Sequence, residues 1–241
     1  MRKFLNLSPI ESKGLDKPIY KNALNLKRDA ILIAEKRKSY SSATSLLVLS
    51  TEESVKSILV LLHSENFNIY KIKDAKKFFS DHVIRHQMAM FIEIGLGIFE
   101  SWNLYDQQKP TNLLKTNIRW LDSLVNNAID ILNASEPFLN TKPNIDYLQE
   151  FNNVKNKGFY VDYSDSLVDP NIEVTITDYN IALKIANRIF KFNKWLRILF
   201  HEKLENHMKK DEIEKHKQNI REIINDGMKL VSFNELKKKS L

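Results

Sequence analysis

Residues 40–65 read YSSATSLLVLSTEESVKSILVLLHSE, a run without a glycine or a proline. Leu46, Leu47, Val48 and Leu49 precede a charged middle of Glu52, Glu53 and Lys56, and the apolar run 58–62 follows it. A helix that is apolar nearly all round sits inside a bundle rather than on its surface. The segment therefore predicts a central helix with other helices packed around it. Charges in its middle need partners from those neighbours, because an unpaired buried charge is costly. Its start has two readings: Tyr40-Ser41-Ser42 supply N-cap chemistry, while Ser50-x-x-Glu53 fits a capping box. One continuous helix from about 40 to 65 is preferred, since Leu46–Leu49 would otherwise need burial of their own.

The remaining chain supplies the neighbours. Five glycines and six prolines in 241 residues leave few tight turns, which favours long helices over many short strands. Residues 17–38 place Ile19, Ala23, Leu26, Ala30 and Ala34 three and four apart, one stripe of an amphipathic helix. After the polar break NFNIYKIKD come a third helix over 75–102, with Gly95 and Gly97 inside it, and a fourth over 111–134. A short helix near 144–156 follows. Residues 157–177 read as an ordered surface loop, and Thr177 then caps a long helix running to 210. A last helix covers roughly 211–231. About seven helices and no strand predict an all-α bundle formed as a single domain. Its core spans about 17–209, and 210–241 form a basic C-terminal helix and tail.

Several function classes are excluded or disfavoured. The chain has no cysteine, so disulfides, thiolate metal sites and cysteine nucleophiles are absent. MRKFLNLSPIESKG lacks the apolar core of a signal peptide, and MAMFIEIGLGIF is too short to span a bilayer and contains Glu93. A cytoplasmic protein without membrane contact is expected. No Walker A loop, Rossmann glycine pattern or GxSxG elbow occurs. The net charge of +7 arises in the last quarter, where residues 184–241 carry fifteen Lys/Arg against eight Asp/Glu. Such a region suits phosphate or an acidic protein surface, or is a solvated helical face.

His82, Arg85 and His86 in DHVIRH form the densest chemical cluster. The two histidines share a helix face, but without HExxH or Glu-x-x-His neither metal nor cofactor is expected. Acid/base work or phosphate contact by histidine and arginine fits better. Glu52 and Glu53 stand four and three residues before Lys56, so they form either a structural network or part of a functional site. His201 and His207, beside Arg197 and Lys203, read as a solvated helix face.

The stretch KNALNLKRDAILIAEKRKSYSSATSLLVLSTEESVKSILV resembles the N-terminal helical pair of the AbiV-type abortive infection proteins. The matching positions are Asn22-Ala23, Leu26, Asp29-Ala30, Ala43, Leu46, Leu49, Glu52-Glu53 and Lys56. His82 and Arg85 match the family's histidine with a basic residue three places on. Gly158, Tyr160, Val161, Asp162 and Pro170 match its G-x-YVD loop and the proline after it. The resemblance spans roughly residues 20–200.

It implies an HEPN-like helical bundle, phage resistance by abortive infection, a homodimer, and a phage protein as activator or target. It also implies a shared site of Glu52, Glu53, Lys56, His82, Arg85, Tyr160 and Asp162, to which His86 of the DHVIRH cluster adds as a binding or structural polar residue. There His82 is the acid/base or phosphate contact, Arg85 and Lys56 bind phosphate, and the carboxylates orient them. Many HEPN relatives are ribonucleases that use an arginine and a histidine separated by four to six intervening residues. No arginine here has a histidine at that spacing; Arg197 and His201 come one residue short. Three readings stay open: an effector acting on RNA or translation, with the basic C-terminal region contacting RNA or ribosome; a non-catalytic protein-binding module; and a ribonuclease with an atypical site.

Overall fold

A computed structural model describes residues 3–72, 75–107, 136, 139–163, 167–222 and 224. The helices are α1 (Pro9–Ser12), α2 (Asp16–Arg37), α3 (Tyr40–Ser64), α4 (His82–Gln107), α5 (Lys142–Gln149) and α6 (Phe151–Phe159). Two short strands, β1 (Asp162–Tyr163) and β2 (Leu167–Val168), precede α7 (Pro170–Glu173), α8 (Ile176–Leu199) and α9 (Lys210–Glu222). The fold is all-α, as the sequence predicts. The expected helix over 111–134 and nearly all of the tail beyond 222 lie outside the described residues. Among the described residues no helix is long and apolar enough to cross a membrane.

The chain divides into two compact units, residues 1–89 with 148–241, and residues 90–147. In the second unit Glu93 is buried and accepts a hydrogen bond from Asn144 Nδ2 at 3.3 Å. The first unit is organised around α3, which packs against α2, α6 and α8. Leu47, Val48, Val55, Ile58, Leu59 and Val60 are all buried, although they point to different sides of the helix. Burial on every side requires neighbours that come close, and the small residues between these apolar ones permit it. Several of their hydroxyls donate to backbone carbonyls of adjacent helices. Ser50 donates to Ala23 O at 2.8 Å, Ser45 to Lys155 O at 2.9 Å and Ser57 to Asp16 O at 3.2 Å. A buried hydroxyl without such a partner would be a net cost.

Helix ends depart from the sequence reading in informative ways. α4 starts at His82 rather than near 75, because Asp81 Oδ1 accepts from Val83 N–H at 3.0 Å, which is N-cap chemistry. The stretch before it holds only the 3-10 turn Ala75–Lys77. The expected helix 144–156 is two helices, α5 and α6, meeting at Glu150. α8 is capped by Thr175 with Asp178 in a capping box, not by Thr177, and it stops at Leu199. His201 then accepts from Lys203 N–H and opens a 3-10 turn (Glu202–Asn206), so the helix does not run on to 210.

The expected loop 157–177 is also a hairpin, which the strand-free reading missed. β1 and β2 pair antiparallel with Asp162 opposite Val168 and Tyr163 opposite Leu167. The break after α3 is made by asparagines: Asn66 and Asn68 both hold positive φ, a conformation their short polar side chains tolerate.

Candidate functional site

Glu52 lies in the middle of α3 with 2% of its surface exposed, and four side chains converge on it. Arg85 Nη2 donates to Oε2 at 3.0 Å, and His82 Nδ1 is hydrogen-bonded to the same oxygen. His86 Nε2 donates to Oε1 at 2.9 Å, and Lys155 Nζ reaches Oε1 at 3.3 Å. His82, Arg85 and His86 stand at i, i+3 and i+4, so one face of α4 carries all three. Their local placement thus follows from the sequence; that the face meets Glu52 follows from packing.

Lys155 comes from α6, and Gly158 explains how that helix gets so close. A Cβ at Gly158 would stand 2.2 Å from Ser45 Oγ and 2.6 Å from Ser41 O. The glycine of the GFYVD stretch therefore serves close approach of α6 to α3, not backbone flexibility.

A carboxylate only accepts, so His86 donates to Glu52 from Nε2. His82 Nδ1 meets both an acceptor, Glu52 Oε2, and a donor, Arg85 Nη2. The His82 side chain is 50% exposed and forms the open face of an otherwise buried cluster. Arg85 lies alongside with Nη2 2.8 Å from His82 Nδ1, and its Nη1 donates to Phe78 O at 3.2 Å. Its Nε is buried without a partner.

Burial alone would raise the Glu52 carboxyl. The hydrogen bond and charge of His86, the hydrogen bond of His82 and the charge of Lys155 outweigh it, and the carboxyl is held well below the ordinary range. Burial pushes His86 down, with the charges of Lys155 and Arg85 adding to it against the pull of Glu52. Counting both imidazoles as neutral, Arg85 and Lys155 against the ionised Glu52 give the cluster a formal excess of one positive charge. Such a site suits an anion at its open face. Among the described residues no group of three or more His, Asp or Glu side chains is arranged to hold a metal ion.

The expected site residues do not all meet here. Glu52, His82, Arg85 and His86 do. Lys56 instead pairs with Glu53 at 2.6 Å, and Asn22 Nδ2 donates to Glu53 at 3.2 Å, forming a partly exposed bridge between α2 and α3. Tyr160 is exposed, with its ring edge-on to Phe159. Asp162 is exposed on β1, where its Oδ1 accepts from Tyr163 N–H. Lys155 was missed from the sequence. It stands three residues before Gly158, on the same helix face, and that spacing was the only available clue.

A second polar node occupies α3 nearer its C-terminal end. Arg197 on α8 pairs with Asp16 at 2.7 Å and donates to Ser57 Oγ at 2.9 Å and Asn193 Oδ1 at 3.1 Å. Asn193 Nδ2 in turn donates to Ser54 O and Oγ, each at 3.1 Å. Arg197 also lies over the Tyr20 ring. It is thus a bracing residue of the bundle rather than part of a solvated face. His201 and His207 are exposed.

The HEPN family described as AbiV matches residues 11–191. No curated protein and no solved structure matches. The family span covers most of the 241 residues, and the chain belongs to the AbiV family.

Proposed function

We propose that this AbiV-family chain is an antiphage effector of abortive infection, working in the cytoplasm as a homodimer after a phage-derived component sets it off. Its working site is the open face of the Glu52 cluster, which engages a phosphate-bearing ligand such as RNA. One observation carries this reading: a buried carboxylate orients a half-exposed imidazole beside a buried arginine in a cluster of net positive charge. In this arrangement Glu52 orients the His82 ring, which accepts a proton from a ligand hydroxyl or water. Arg85 and Lys155 hold the local field positive for a phosphate oxygen. The basic C-terminal region adds contact to RNA or the ribosome.

A direct test pairs phage plating on cells expressing His82→Ala or His82→Gln with cleavage of labelled RNA by the purified proteins, with and without phage lysate. Loss of protection in a variant that still folds supports the site, and unimpaired protection removes it. A second reading is favoured by the saturation of Glu52, whose two oxygens already serve four partners. In it the site binds and does not cleave. Protection that depends on His82 without any RNA cleavage selects that reading.

A further inference from the structure

Among the described residues, most of the exposed large apolar side chains fall between 159 and 176, from the end of α6 through the hairpin and α7 to the start of α8. Tyr163 and Leu167 face each other across the β1–β2 ladder, so they share one side of the ribbon, and Val161 lies two residues from Tyr163 on that same side. They are 73%, 65% and 66% exposed, and Tyr160, Ile172 and Ile176, flanking them along the chain, are exposed as well. A two-stranded ribbon is only marginally stable in water, and an uncovered apolar face of this kind marks a contact site.

The charge around it has a sign. Among the described residues, 157–178 carry four carboxylates, Asp162, Asp169, Glu173 and Asp178, against the single Lys157, in a chain whose net charge is +7. Asp169 caps α7, and Glu173 pairs with Lys157 at 3.3 Å. A second copy meeting this face symmetrically would bring carboxylates against carboxylates, which is repulsive. A partner with apolar side chains and basic residues would instead cover the apolar face and meet the acidic rim.

We infer that the β1–β2 hairpin and α7 form a docking surface for a basic, apolar segment of another protein. The surface is distinct from the Glu52 cluster, and its occupant pairs with the ribbon as an added strand or lies across the Val161–Tyr163–Leu167 face.

The test uses the full chain and two labelled peptides, one alternating lysine with valine and tyrosine, the other carrying glutamate in place of lysine. Bulk electrostatics of a basic protein favours the glutamate peptide, so selective binding of the lysine peptide reports the local surface. The expected result is binding of the lysine peptide that weakens with salt. It also weakens roughly tenfold or more in a Tyr163→Ser, Leu167→Ser double variant and less in Asp162→Asn. Both side chains are exposed, so the double variant keeps its helical circular dichroism. Equal affinity for the two peptides, or affinity unchanged in the double variant, overturns the inference. Sedimentation that finds a self-associated wild type and a monomeric double variant also overturns it, because the face then joins copies of this chain.

Discussion

Two ion nodes abut the same helix, α3, and they are built differently. The Asp16–Arg197 node is balanced, one carboxylate against one guanidinium, and its remaining donors end on Ser57, Asn193 and the Asp16 carbonyl. The Glu52 node is unbalanced, with Arg85 and Lys155 against one carboxylate, and it opens to solvent through His82. A purely bracing network gains nothing from surplus charge and an exposed imidazole. On the proposed function, the contrast separates a node that holds the bundle together from one that meets a ligand.

Removing the centre of the Glu52 node has the largest expected effect. Glu52→Ala leaves Arg85 and Lys155 buried without a counter-charge and should lower stability by about 3–5 kcal/mol, read from urea unfolding. If it costs no more than a surface substitution, the node is hydrated and the contrast collapses.

Arg197→Met attacks the bracing node. It should cost about 1.5–3 kcal/mol, less than Glu52→Ala because Arg197 is partly exposed. Phage protection should fall only as far as the folded fraction falls; a larger loss would give the Asp16–Arg197 node a role beyond bracing.

Gly158→Ala sharpens the picture of how Lys155 is delivered. Its Cβ would meet the Ser41 carbonyl at 2.6 Å, and backbone cannot swing aside, so α6 must shift away from α3. A cost of about 1–3 kcal/mol is expected, accompanied by loss of protection as Lys155 withdraws from Glu52.

Acid should act on the unbalanced node through His86. Its folded pKa lies below the unfolded value, so the unfolded chain takes up the proton first, and stability falls as pH drops below about 6.5. His63, also pushed down by burial, adds to the same fall. Glu52 works at lower pH: its depressed carboxyl gives stability that is complete above about 4.3 and is lost as pH falls further. His86→Gln, which still donates to Glu52, should flatten the urea midpoint between pH 7 and pH 5; an unchanged slope would show that His86 is not the titrating group.

The smallest stability effect is expected where the functional effect is greatest. His82→Ala should cost no more than about 1 kcal/mol, since half of the side chain is in water. Protection in a plaque assay should nonetheless be lost.

Much of the bundle was legible. The α2 stripe, the continuous α3 and the all-round apolar character that makes α3 central all follow from spacing and composition. So does the i, i+3, i+4 grouping of His82, Arg85 and His86 on one face. Helix ends were less legible, because Asp81 and Thr175 win their capping positions through local geometry that competing residues such as Thr177 could equally offer. The grouping of Lys56 with the site rested on its match to the family pattern, four residues after Glu52. In the structure its ammonium engages Glu53, which Asn22 on α2 also holds.

The sequence by itself determined that α3 would be buried and that its charges would need partners, because helical periodicity and the cost of unpaired charge act within one segment. Which partners answered was decided only by tertiary structure. Lys155 lies 103 residues from Glu52 and reaches it because Gly158 lets one backbone press against another. Glu53 sits next to Glu52 in sequence yet turns to a different neighbour, since successive residues of a helix point about 100° apart. No pattern along the chain encodes that choice; it belongs to the packing of α2, α4 and α6 around α3.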